Sequence, residues 1–243
     1  MTLITLAVMT RLGVTVPQVR SQMTSASRVL PTEQGMNPGK AKIIKCPFCG
    51  EEKELMTLVS GNTCGARWWS DGKMIAPMLP QTSPVQKCPK CGKYYFEFLQ
   101  PYEESENWSF ELGEMSYQEW KKAYQQFLND NVQEELLLSV EFWLIQAYND
   151  NYRGSSEFVL PEEDVAFVAG IIKEYVAKQN WNGNNSLLLK AELCREAGEM
   201  EDCCKVLSSI DQETLQDFEV KIFAAIKEKM EIGDRRVFEL SFL

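Results

Sequence analysis

Four cysteines fall into two copies of one short frame, CPFCG at Cys46–Gly50 and CPKCG at Cys88–Gly92, in a chain without histidine. Each C-x-x-C puts two thiolates on one tight turn. Two such turns facing each other offer four sulfurs to one tetrahedral ion. The glycine after each second cysteine permits φ > 0 and frees amide N–H groups to point at sulfur. The missing histidine removes every Cys/His metal variant, every Ser-His or Cys-His catalytic pair and the usual proton shuttle. The site residues expected are therefore Cys46, Cys49, Cys88 and Cys91 as metal ligands, with none catalytic. Redox C-x-x-C pairs and plain buried thiols are the competing readings.

Zinc is preferred over iron, because four-thiolate sites hold zinc stably in a reducing cell. Four sulfurs also close the coordination shell and leave no position for water or substrate, which makes the Zn2+ structural. The other four cysteines (Cys64, Cys194, Cys203 and Cys204) are scattered, three of them in a helical pattern. That usage suits a reducing, cytoplasmic setting better than a disulfide framework. The clusters Glu162-Glu163-Asp164 and Glu199-Glu201-Asp202 sit at helix starts and turns, where they read as solvated dipole partners. Without a nucleophile–base pair or a phosphate-binding glycine loop, the chain reads as a non-enzyme.

The two knuckles resemble those of zinc ribbons and of rubredoxin, in which CPxCG turns recur; the resemblance covers about ten residues in two pieces. The 38 residues between Cys49 and Cys88 exceed the 15 to 20 usual for this pattern. Asp71-Gly72, flanked by Ala66-Arg67-Trp68-Trp69 and Lys73-Met74-Ile75-Ala76, is a strong hairpin signal and absorbs the excess. Short strands are expected at Lys42–Lys45, Leu55–Val59 and Tyr94–Leu99, with an extended stretch through Pro77, Pro80 and Pro84. Residues 41–100 thus form a small β module with little core of its own, which needs a metal staple. One of Trp68 and Trp69 should cover the metal core and the other lie outward or against helices. Lys87, Lys90 and Lys93 around the second knuckle read as a solvated face offsetting the metal–thiolate charge.

Residues 1–40 lack periodicity and read as a disordered leader, or as sequence ahead of a start at Met23 or Met36. The apolar run Leu3–Met9 has no preceding base and is not read as a secretory signal. Residues 101–115 form an acidic linker. From 116 onward the apolar period changes from two to 3.6. Ser116 to Glu119 makes a capping box, and Trp120, Ala123, Tyr124, Phe127 and Leu128 form the stripe that follows. Gln133–Tyr148 is apolar nearly all round and should be a central helix. Pro161 opens a third helix; others follow near 185–197, 200–209 and 211–231, the last with Asp211 as cap and Gly233 as stop.

The run Leu187–Ile210 resembles a tetratricopeptide repeat (TPR). Gly198 falls at the inter-helix glycine, Ala191 and Cys203 at small packing positions, and Leu187 and Leu207 at large ones. The match is one degenerate repeat, since the aromatic expected at Cys194 and the closing proline are absent.

The fold class expected is α+β: a small N-terminal four-cysteine zinc-ribbon β module followed by an all-α, TPR-like helical-hairpin domain over 116–243. That layout resembles small bacterial zinc-ribbon proteins of unassigned role. The function expected is a non-enzymatic, zinc-binding protein-interaction module with a protein partner. The alternatives are a nucleic-acid-associated accessory or regulatory protein and a rubredoxin-like electron carrier. Charge bears on the choice. Of the net −10, residues 38–100 carry nine basic against five acidic residues, and residues 101–243 carry 13 against 29. So acidic a remainder repels a phosphate backbone and favours basic partners.

Overall fold

The computed structural model describes residues 36–154 and 159–241, so the leader expected over 1–40 lies, but for its last residues, outside the described residues. The chain divides into two compact units. Of the described residues, unit 1 takes those up to Ala66 together with Ala76–Glu114, and unit 2 takes Arg67–Ile75 together with those from Met115 onward. The class is α+β, with strands before six helices.

In unit 1, β1 (Asn37–Lys45) pairs antiparallel with β2 (Glu52–Ser60) on one side. On its other side it pairs with β7 (Tyr102–Glu104). The strand order is β2-β1-β7. A second, two-stranded sheet joins β5 (Val85–Lys87) to β6 (Tyr94–Phe96). The two CPxCG turns are the links within these pairs: the first joins β1 to β2, the second β5 to β6. Between them lies the buried cluster Ile44, Cys46, Leu55, Cys88 and Tyr95. Ala41, Met56, Val85, Tyr94 and Phe96 of unit 1 are buried as well, which makes a small core of the kind that a metal staple commonly supplements. Strand β7 falls in the stretch read as an acidic linker; Tyr102 to Glu104 are all exposed there, so no buried face signalled it in the sequence.

Unit 2 contains the short hairpin β3 (Arg67–Trp68) and β4 (Met74–Ile75), with Gly72 at φ +80° in its turn. Its helices are α1 (Tyr117–Asn129), α2 (Glu134–Gly154), α3 (Glu162–Lys178), α4 (Asn184–Ala197), α5 (Met200–Ser209) and α6 (Asp217–Glu231). Each packs against the next in sequence, and α6 also against α4. Ser116 caps α1 as expected: its hydroxyl accepts the Glu119 N–H while the Glu119 carboxylate accepts the Ser116 N–H. Gly198 ends α4 at φ +85°, where a side chain would be strained. The core around this turn is Leu188, Ala191, Cys194, Cys203, Leu207, Ile210 and Ile226, with Leu187 packed against it.

Asp211 does not cap the last helix. Its carboxylate accepts the Glu213 N–H and so caps a 3-10 turn at Gln212–Thr214. The helix proper starts at Asp217, where Glu219 reaches back to the Gln216 N–H at 2.8 Å.

Candidate metal centre

The knuckles are built alike. In the first, Cys46 N–H bonds the Glu51 carbonyl and Gly50 N–H the Cys46 carbonyl; in the second, Cys88 N–H bonds the Lys93 carbonyl and Gly92 N–H the Cys88 carbonyl. Gly50 and Gly92 lie at φ +76° and +71°. Any other residue there would carry a left-handed strain, so the turns require the glycines. The glycine N–H groups close the turns rather than reaching sulfur. The sulfurs receive other amides: those of Phe48 and Cys49 at Cys46, and those of Lys90 and Cys91 at Cys88.

The four sulfurs lie within 4.8 Å of one another. Cys46 Sγ is 3.7 Å from Cys91 Sγ, and Cys49 Sγ is 3.5 Å from Cys88 Sγ, so each knuckle is paired across to the other. A tetrahedral ion with metal–sulfur bonds of about 2.3 Å sets its ligands about 3.8 Å apart. The pairs match that spacing, and they are far from the roughly 2 Å of a disulfide. All four cysteines are free thiols. Cys46 and Cys88 are buried, while Cys49 and Cys91 form an exposed edge.

Without a cation the cluster is electrostatically uncomfortable. Burial drives the Cys46 thiol up against the pull of the Phe48 and Cys49 amides. At Cys49 the Glu51 N–H favours the thiolate, but burial and the facing thiols outweigh it and push the group to about 12. Cys88 goes the other way: burial opposes its charge, yet the Cys91 and Lys90 amides and the neighbouring thiols bring it down to about 7. Burial and the knuckle amides thus pull Cys46, Cys49 and Cys88 in different directions. A dication among them removes the conflict by displacing protons.

The lysines near the second knuckle, Lys87, Lys90 and Lys93, are all exposed, as a solvated face should be, and two of them also reach the first knuckle. Lys90 pairs with Glu51 at 3.2 Å, and Lys93 sits 4.5 Å over the Phe48 ring. Both partners flank or belong to the first knuckle, so the two lysines link the turns by surface contacts of the kind worth little to stability. Sequence reasoning had no signal for this, because the partners are about 40 residues apart.

The tryptophans lie elsewhere. Residues 67–75 group with the helices, and Trp69 is buried there with the Arg67 and Arg153 guanidinium groups 5.2 and 5.4 Å from its ring centre. Trp68 is half-buried, and its carbonyl accepts the Leu240 N–H at 2.7 Å. No family model, curated protein or solved structure matches the chain, so the site is read from its own geometry. No described helix is long and apolar enough to cross a membrane.

Proposed function

We propose that unit 1 is a zinc-ribbon module in which Cys46, Cys49, Cys88 and Cys91 hold one structural zinc ion, and that the protein is a non-enzymatic protein-interaction module of the cytoplasm. The observation that carries the metal reading is the convergence of four unbridged sulfurs within 4.8 Å from turns about 40 residues apart. Zinc bound there would supply a cross-link and cancel thiolate charge, with no coordination position left for a substrate. The residues beneath the site do the rest. Ile44, Leu55 and Tyr95 shield Cys46 and Cys88 from water, and the knuckle amides orient their sulfurs.

The α4–α5 hairpin, with its left-handed Gly198 and small Ala191 and Cys203 at the helix contact, supports a single TPR-like repeat completed by α6. The interaction role rests on charge. Unit 2 carries 15 basic against 25 acidic residues, which suits a basic protein partner and repels nucleic acid.

Metal analysis of the purified chain tests the site. One zinc per chain and a colourless protein are expected; less than a tenth of an equivalent of any metal, in a fully folded unit 1, overturns it. The exposed edge formed by Cys49 and Cys91 favours an iron electron carrier as the second reading. Red protein with one iron, reversibly bleached by a reductant, would establish it instead.

A further inference from the structure

Unit 2 has a groove of about 620 Å³ between α3, α4 and α5. That volume lies within the range of small-ligand sites, about 300–1,000 Å³. Its apolar lining is Ile172, Val176 and Ala177 of α3, Cys194 and Ala197 of α4, and Val206 of α5. The groove exists because three of these six side chains are small. Trp181 also lines it. Its indole N–H already bonds the Val176 carbonyl at 2.8 Å, so the ring offers the groove an apolar face rather than a donor.

Three lysines border this apolar strip: Lys173, Lys190 and Lys205. Two are engaged, Lys173 with Glu199 and Lys205 with Asp202 at 2.7 Å. Lys190 is half-buried and forms no ion pair or hydrogen bond among the described residues. Its charge nonetheless reaches the groove, since it helps Lys205, the nearest base, and Lys173 to hold the Asp202 carboxyl below its usual range. A net positive groove is unusual on a unit with ten more acids than bases. The surrounding acids repel a polyanion, whereas one negative group on an apolar body meets a groove whose two lining carboxylates, Glu199 and Asp202, are already paired with Lys173 and Lys205.

We propose that the groove between α3, α4 and α5 binds a small amphipathic monocarboxylate, with its carboxylate on Lys190 and its apolar arm along Val176, Val206 and Trp181. Recognition of one charge by one otherwise unpaired ammonium gives a charge-assisted hydrogen bond, and the arm gives burial. This reading is independent of the metal centre.

The probes are 4-phenylbutyrate, its neutral amide and 4-phenylbutylamine, titrated calorimetrically into the full chain and followed by tryptophan fluorescence. The acid is expected to bind one site with Kd on the order of 0.1–1 mM, and the amide about tenfold more weakly. The amine should not bind. Lys190→Met, confirmed as folded by circular dichroism, should bring the acid down to the affinity of the amide, and Lys190→Arg should restore most of it. Trp181→Phe should abolish the fluorescence change while leaving a calorimetric signal. Equal affinity of acid and amide, or unchanged binding by Lys190→Met, overturns the proposal, as does the absence of saturable binding by the acid. A hexapeptide ending in Phe with a free carboxylate separates the other source of the same chemistry. Tenfold tighter binding of that peptide than of the free acid would make the groove a chain-end site and refute the small-molecule assignment.

Discussion

Glu141, in the middle of α2, is wholly buried, and neither carboxylate oxygen completes a hydrogen bond among the described residues. Lys178 of α3 approaches at 3.5 Å but is itself partly exposed. Burial therefore dominates and, with Glu174 and Glu134 adding repulsion against the pull of Lys178, lifts the carboxyl from 4.5 to about 7. The folded state holds this proton more tightly than the unfolded chain. Its contribution is complete below about pH 4.5 and is lost as pH rises through about 7. Glu141→Gln should remove that loss, making unit 2 more stable than the parent by about 3 kcal/mol at pH 8 and little different at pH 4. Urea melts of both proteins at the two pH values decide it, and an equal difference at both would be fatal. At the same scale, Cys88→Ser should cost stoichiometric metal and most of the order in unit 1, because a structural zinc site supplies on the order of 10 kcal/mol of apparent folding energy. Far-ultraviolet circular dichroism should retain the helical signal. The four cysteines were legible because each pair is local, three residues apart. Glu141 was not, because its surroundings come from three helices and nothing in one helix announces a buried carboxylate.

The Asp71-Gly72 hairpin shows what a local signal carries and what it omits. The turn, its glycine and the short flanking strands follow from two residues. Its allegiance does not, and that allegiance depends on residues about 80 to 170 positions away. Asp71 is completely buried; it forms an ion pair with Arg153 of α2 and accepts a hydrogen bond from Asn149 at 3.1 Å. Lys73 reaches Asp150 at 2.6 Å, and Arg67 meets Glu239 at 2.9 Å. The Ser70 N–H and Leu240 N–H bond the Phe238 and Trp68 carbonyls, so the final segment adds an edge to β3. Asp71→Ala would take from the buried Arg153 guanidinium its one fully buried carboxylate partner, leaving it the half-exposed Asp150 and the Gln146 carbonyl. Removing one member of a buried ion pair costs about 3–5 kcal/mol. The melting midpoint of unit 2 should fall accordingly, and Asp71→Asn, which keeps the Asn149 contact and the turn, should lose less. A change below about 0.5 kcal/mol for Asp71→Ala would show that the pair contributes nothing net. The capping box of α1 and the Gly198 turn were readable for the same reason as the hairpin turn: each is complete within four residues.

At the scale of the whole chain, sequence order and folding unit part company. The nine residues Arg67–Ile75 lie between the two knuckles in sequence, yet they group with the helices, so the chain passes between units three times. The proposed metal would hold only one side of this division. Unit 1 would depend on it, because its buried cluster includes two of the four proposed ligands. The hairpin rests instead on Asp71, Asn149, Arg153 and residues 238–240, none of which is near a ligand in sequence. Chain connectivity adds little coupling. Pinning nine residues out of a 38-residue loop changes its closure entropy by only about 0.2 kcal/mol. Chelation of the purified protein should therefore give an interrupted pattern of amide exchange. Residues 36–66 and 76–114 should lose protection, while 67–75, flanked on both sides by exchanging chain, and the helices should keep theirs to within about tenfold. Hairpin amides that exchange together with the knuckles would mean that the metal, rather than Asp71 and Arg153, holds the hairpin in place, and the division into two folding units would fail.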